Sequence, residues 1–264
     1  KGKTFRGLDS AEPFAIEETP NYDKFFRITG DAISASDAHV PYWHKELFEY
    51  IFAIGKKFLP KGKRILIFNG DLLNLDSFSH WVTGSRGVSY TEREMNACTK
   101  LLEKCLQVFD KIYWTMGNHE NRLNTQMGGN VPAERFLKMI TTAEIEKKVE
   151  FSSYPYSILN DTWLIGHPKG YSERGGQMAS DICDVFEKNV VLGHNHALGM
   201  QCSKSGKYIG IDQGCSCDFN KIEYYNKQLT KGRRWQNGFT LIKNNKGYLF
   251  SLSFTDWAWW LKDT

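Results

Sequence analysis

Residues 111–120 read KIYWTMGNHE. Apolar and aromatic residues suited to a buried strand run up to Met116, and the run then breaks at Gly117 into Asn118, His119 and Glu120. The same grammar recurs along the chain. Residues 25–36 read as one or two strands broken at Gly30 and lead into Asp37-Ala38-His39. RILIF (64–68) stops at Asn69-Gly70-Asp71, TWLIGH (162–167) ends in Gly166-His167, and VVLGH runs into Gly193-His194-Asn195-His196. Helical patterns lie between these strands. WHKELFEYIFAIGKKF (43–58) places apolar residues at 47, 48, 51, 52, 54 and 58, one broad buried face. Thr91 and Glu94 read as a capping box for a helix through Met95, Cys98, Leu101, Leu102, Cys105 and Phe109. Residues 133–148 and 177–188 also read as helical. A hairpin is expected at Asn160-Asp161. From residue 198 the chain turns β-rich, with turns at Ser205-Gly206 and near Asn245 to Gly247, which predicts a second sheet packed on the first. Alternating strands and helices, with polar residues at strand ends, predict an α/β (α+β) fold whose functional loops follow the strand C-termini.

Composition narrows the function classes. The chain has 264 residues, 41% hydrophobic and 24% charged, ordinary for a soluble globular protein. That length predicts one large domain or two small ones. The division expected is an arm or linker over 1–24 and a catalytic domain over 25–264. No apolar run approaches the roughly 18–20 residues of a membrane span. The net charge of +4 suits an anionic ligand without specifying one. Six cysteines without a CxxC pair or a zinc-ribbon spacing predict a reducing, intracellular (cytoplasmic) compartment. The first residues, KGKTFRGLDSAEPF, show no apolar leader segment and no initiator Met, which predicts that residues precede Lys1 in the natural protein.

Five of the seven histidines fall at strand ends, with Asp37, Asp71 and Asn118. Taken singly, Asp37 could cap a turn and Asn118 suits any Gly-Asn turn. Taken together at converging strand ends, carboxylate oxygens, imidazole nitrogens and an amide oxygen make a ligand set for hard and borderline dications. Two ions a few ångströms apart need a bridging carboxylate, and the absence of cysteine from these loops argues against a structural zinc site. Such a pair of ions suits attack on a phosphoryl group.

In these motifs, over residues 33–217, the sequence resembles the calcineurin-like metallophosphoesterase superfamily. The resemblance implies a four-layer β-sandwich flanked by helices, with a dimetal site at strand C-terminal loops. Asp37, His39 and His196 would then hold the first metal, Asp71 would bridge, and Asn118, His167 and His194 would complete the second. His119 would contact the phosphate and protonate or stabilise the leaving oxygen while a metal-bridging hydroxide attacks. Mn²⁺ is the expected activator for a mixed oxygen and nitrogen set, with Zn, Fe, Ni and Mg as the other candidates. Where many relatives carry GDxxD, this chain reads Gly70-Asp71-Leu72-Leu73-Asn74, and the Asp-Arg-Gly of the Ser/Thr protein phosphatases is absent. Asp76 is a candidate to take over the orienting role toward His119.

For the substrate, residues 76–90 form a glycine-bearing loop with His80, Trp81, Arg86 and Tyr90, and Arg122 follows the GNHE motif. Residues 221–235 interleave Lys221, Lys227, Lys231, Arg233 and Arg234 with Tyr224, Tyr225 and Trp235. Cations for phosphates and rings for base stacking suit single-stranded nucleic acid. The layout also resembles phage and bacterial phosphodiesterases of the DNA-repair-exonuclease kind. The expected substrate is thus a phosphodiester in nucleic acid or a nucleotide, bound by His80, Arg86, Arg122, Arg233, Arg234 and Trp235. The alternatives are a phosphomonoesterase, acting on a small molecule or phosphoprotein, and a non-catalytic nucleic-acid-binding module.

Overall fold

The apolar runs that stop at glycine become short strands whose polar ends lie along one edge. The computed structural model describes residues 25–78, 88–128, 133–170, 172–227 and 234–262. The expected arm over 1–24, His80, Arg86 and Arg233 lie outside the described residues. β1 (Phe26–Ile28) and β2 (Ala32–Ala35) are parted near Gly30. β2 sits inside a six-stranded sheet with β3 (Ile65–Asn69), β4 (Lys111–Thr115), β5 (Val149–Ser152), β11 (Gly238–Lys243) and β12 (Lys246–Ser251). Its order is β12-β11-β2-β3-β4-β5, with β2 to β5 parallel.

A second six-stranded sheet contains β6 (Tyr156–Leu159), β7 (Trp163–Gly166), β8 (Asn189–Leu192), β9 (Leu198–Cys202) and β10 (Ile209–Gln213). Its order is β1-β6-β7-β8-β10-β9, with β7 and β8 parallel. The β-rich C-terminal third therefore does not make a sheet of its own, contrary to expectation. β9 and β10 extend the second sheet, while β11 pairs antiparallel with β2. That pairing joins segments some two hundred residues apart, beyond the reach of any local pattern.

Helices α1 (Lys45–Phe58) and α2 (Val88–Leu106) cover the outer face of the first sheet, and α6 (Gln177–Phe186) covers the second. Between the sheets, Ala32, Ile67 and Ile242 meet Leu159, Trp163, Ile165, Val191 and Ile211. Removing each large apolar side chain from water stabilises the sandwich by roughly 1.5–3 kcal/mol. The result is a four-layer α/β sandwich, as the sequence predicts. At the Asn160-Asp161 hairpin both residues adopt positive φ, 53° and 55°, the twist that favours a two-residue turn. α3 (Asn118–Gln126) follows β4 directly, and α7 (Glu223–Lys227) and α8 (Trp257–Trp260) lie near the C-terminus.

Two helical readings need correction. The helix expected over 133–148 is two pieces, α4 (Ala133–Ile140) and α5 (Ala143–Glu146). They part at Thr141, whose hydroxyl donates to the Leu137 carbonyl at 2.8 Å. The Thr91–Glu94 capping box is also absent, because Thr91 lies within α2. Glu94 reaches out of its helix instead, and its Oε1 accepts from the Leu75 amide at 2.5 Å. It thereby fastens the loop after β3 to α2. Burial pushes the Glu94 carboxyl up to about 8, against the pull of the amides of Leu75 and Asn74.

A pH dependence follows. Folded Glu94 holds its proton more tightly than the unfolded chain, so this group makes folding less favourable as pH rises from 4.5 to about 8. Glu94→Gln removes that dependence. Denaturant melts of parent and variant at pH 5 and pH 8.5 should show the variant gaining on the parent by several kcal/mol, about 1.4 per pH unit crossed. A difference that stays constant with pH would overturn the assignment.

Candidate metal centre

Five strand ends deliver the chemistry-bearing side chains to one place. The loop after β2 carries Asp37 and His39, and the loop after β3 carries Asp71. α3 begins with Asn118 and His119 at the end of β4. His167 follows β7, and His194 and His196 follow β8. The first two loops are zipped together by the amides of Asp37, His39 and Val40, which donate to the carbonyls of Gly70, Asp71 and Leu72 at 3.1, 3.1 and 2.8 Å. The two sheets are tied at the site by the His194 amide, which donates to Asp37 Oδ2 at 2.9 Å.

Close packing demands glycine at two of these turns. A Cβ at Gly117 would lie 2.1 Å from Asp71 Oδ1, and one at Gly70, where φ is +75°, would lie 2.4 Å from the His167 ring. Asp37, His39, Asp71, His194 and His196 themselves adopt φ values of 54°, 45°, 50°, 72° and 53°. Non-glycine residues avoid this left-handed region, and clusters of such residues accompany functional sites.

The donor atoms form three groups within 4.8 Å: Asp37 with His39 and His196, His39 with Asp71 and His119, and Asp71 with His167 and His194. Asp71 thus belongs to two groups. His196 Nε2 lies 2.8 Å from Asp37 Oδ1 and 3.3 Å from His39 Nε2. His167 Nε2 lies 3.2 Å from both Asp71 Oδ2 and Asn118 Oδ1. The other nitrogen of His167, Nδ1, is 2.9 Å from the Asn69 carbonyl, which can only accept. Nδ1 therefore carries a proton, and Nε2 is the nitrogen turned to Asp71 and Asn118, free to bind a cation once its own proton is displaced.

The electrostatics fit cations. Burial alone would raise the Asp37 and Asp71 carboxyls, but imidazoles outweigh it, His196 and His167 at Asp37, His167 and His119 at Asp71, and both stay below their ordinary value. Burial would lower His167, yet Asp71 and Asp37 push it up to about 10. Burial holds His39 and His194 below the usual histidine range, reinforced at His39 by His119 and at His194 by His167. Imidazoles at His39 and His194 held neutral by burial beside two buried carboxylates, with His39 Nε2 and His196 Nε2 3.3 Å apart, are a donor set that suits divalent cations.

A family model described as calcineurin-like phosphoesterase matches residues 33–225. The chain belongs to the calcineurin-like phosphoesterase family. It is accordingly a metal-dependent phosphoric ester hydrolase, of a family that binds two divalent metal ions. No curated protein matches the chain. All seven residues expected as ligands of this phosphoesterase, with His119, lie in or against the cluster.

Other residues make the site hold its shape. Glu120, which the sequence offers only as the last letter of GNHE, is fully buried. Its Oε2 accepts from the amides of Asp71 and Gly117 at 2.9 and 2.8 Å, and its Oε1 from Leu73 at 2.9 Å. Burial and the nearby Asp71 push its carboxyl up to about 7. α3, whose third residue is Glu120, is not among the helices expected from the sequence, so no local signal marked this role.

The substrate candidates divide. Trp235 stands edge-on to His196, ring centroids 3.8 Å apart, and packs on Tyr225 at 5.0 Å. Arg234 is exposed and donates to the Glu173 carbonyl at 3.1 Å. Arg122 is turned toward Asn74 and Asp76. All six cysteines are free, and Cys98 and Cys105 pack as small hydrophobes in the core. Among the described residues no helix is long and apolar enough to cross a membrane.

Proposed function

We propose that this phosphoesterase cleaves phosphodiesters in nucleic acid or a nucleotide, with Mn²⁺ as its activator and a reducing compartment as its setting. In this reading Asp37, His39 and His196 hold one ion, Asn118, His167 and His194 hold the other, and Asp71 lies between them. When bound, such a pair supplies Lewis acidity to the phosphoryl group and acidifies a water at neutral pH. His119, through its Nε2, would give a proton to the leaving oxygen as the P–O bond breaks and would regain one from solvent, the attacking water having lost its own.

The observation that carries the diester reading is Trp235, in contact with His196 and backed by Tyr225 and Phe219. An aromatic wall that begins beside a candidate metal ligand suits a base attached to the scissile phosphate. Charge supports the same reading. A monoester carries one more negative charge than a diester, and Arg122, the cation nearest in the motif, is engaged by Asn74 and Asp76. Arg234, exposed and next to Trp235 in the chain, adds a cation for a polyanion.

The test is a substrate panel run with added Mn²⁺: mono-aryl and bis-aryl phosphates, and single- and double-stranded DNA and RNA. The bis-aryl ester should be cleaved faster than the mono-aryl ester, and single strands should be bound or cut. Replacing Arg233 and Arg234 by Ala should weaken binding to single strands and flatten its salt dependence by roughly 0.7 in slope per lost phosphate contact, with the bis-aryl rate retained. A strong preference for the mono-aryl ester, with nucleic-acid binding unaltered in the variant, would establish the phosphomonoesterase reading. Purified protein without metal and without hydrolysis would point to the non-catalytic module.

A further inference from the structure

The loop after β3 holds a closed circuit of polar contacts on the side of His119 away from Asp71. His119 Nδ1 lies 2.5 Å from the main-chain carbonyl of Asn74, and Arg122 Nη1 lies 3.1 Å from the same oxygen. The Asn74 amide group donates to Asp76 Oδ2 at 2.7 Å, and Asp76 Oδ1 lies 3.6 Å from Arg122 Nη1. His119 and Arg122 stand three residues apart on α3, so their side chains share one face of the helix.

A carbonyl only accepts, so His119 Nδ1 donates to Asn74, and Nε2 is the nitrogen left for the site, 3.7 Å from Asp71 Oδ2. One carbonyl has two lone pairs and accommodates both the ring N–H and the guanidinium. Nη1 also lies 3.0 Å from His119 Nδ1, so the guanidinium fills the flank of the ring and blocks its rotation in that direction. Asp76, 2% exposed, supplies the counter-charge that holds the guanidinium there. The Arg122 side chain is only 21% exposed, which is unsuited to a residue whose work is to meet an incoming phosphate.

We propose that Arg122 and Asp76 are positioning residues that hold the His119 ring, through the Asn74 carbonyl, with Nε2 directed at the leaving group. This rests on the reading of His119 given above, and it replaces the sequence-based expectation that Arg122 binds substrate. It also gives Asp76 the orienting role expected of it, exercised through Arg122 and Asn74.

The test is a double-mutant cycle on the metal-loaded enzyme, using the parent, Arg122→Ala, His119→Ala and the double variant. Each is assayed on two aryl phosphodiesters, one with a poor and one with a good leaving group, and each is checked for metal content. Arg122→Ala should lower kcat about 10- to 100-fold on the poor leaving group, the scale of a misplaced catalytic side chain. KM and metal content should hold, and the loss should shrink on the good leaving group. In the His119→Ala background, Arg122→Ala should change kcat less than twofold, because nothing remains to be positioned. Asp76→Asn should show the same pattern in weaker form, and Arg122→Lys, which keeps the charge but loses the planar fork, should fall between parent and Ala. A raised KM with kcat intact would make Arg122 a phosphate ligand and overturn the proposal. An equal kcat loss with and without His119 would overturn it too. If His119→Ala itself retains parental kcat on the poor leaving group, the reading of His119 fails and this proposal fails with it.

Discussion

Asp71→Asn is expected to abolish hydrolysis and to release both metal ions while leaving the fold in place. The carboxylate shares one donor group with His39 and His119 and another with His167 and His194. Asparagine matches its shape and retains an oxygen for the His119 amide, which Asp71 Oδ1 accepts at 2.8 Å. It brings an NH₂ group, however, where Oδ2 now lies 3.2 Å from His167 Nε2. A negative charge and one carboxylate oxygen are lost, and a donor points where the proposed cations would bind. Metal pairs supply several kcal/mol of charge stabilisation to the reacting phosphoryl group, so the rate should fall by roughly 10³-fold or more. Elemental analysis should find both sites depleted, and circular dichroism should match the parent. Full occupancy in the variant would overturn the bridging role.

His119→Ala should produce the second-largest loss by a different route. The ring is not among the proposed ligands of either ion, so metal content should match the parent. The rate should drop by roughly 10²- to 10⁴-fold, the usual contribution of proton transfer from a placed side chain. Burial lowers the imidazole to about 4, with Arg122 acting in the same sense and Asp71 opposing. The loss should shrink for esters with acidic leaving groups, which depart without a proton. An equal loss across leaving groups would show that His119 only binds or places the phosphate.

Much of the site was legible because its residues obey a local rule: an apolar run, a glycine, then a donor. Gly70-Asp71 and Gly193-His194 announce themselves this way. The supports did not, because they act over long sequence separations. Glu94 mimics a capping residue and serves a loop nineteen residues upstream. Glu120 fits the same helix-start pattern, yet its carboxylate also holds amides at Asp71 and Leu73, some fifty residues away. Trp235 reads as one ring in a basic segment, and only the fold sets it on His196. The strands were found more readily than their partners, since β-strength is written locally whereas the pairing of β11 with β2 is not.

The five donors at positive φ set evolvability against function. Holding a side-chain-bearing residue in that region costs roughly 1–2 kcal/mol. Glycine would relieve it at every one of the five positions and take away a donor each time. Selection for heat resistance alone would therefore favour glycine where little else holds the side chain, as at half-buried His194, whereas Asp37 and Asp71, whose carboxylates also accept main-chain amides, would resist it. Only selection that reads turnover can keep these loops as they are.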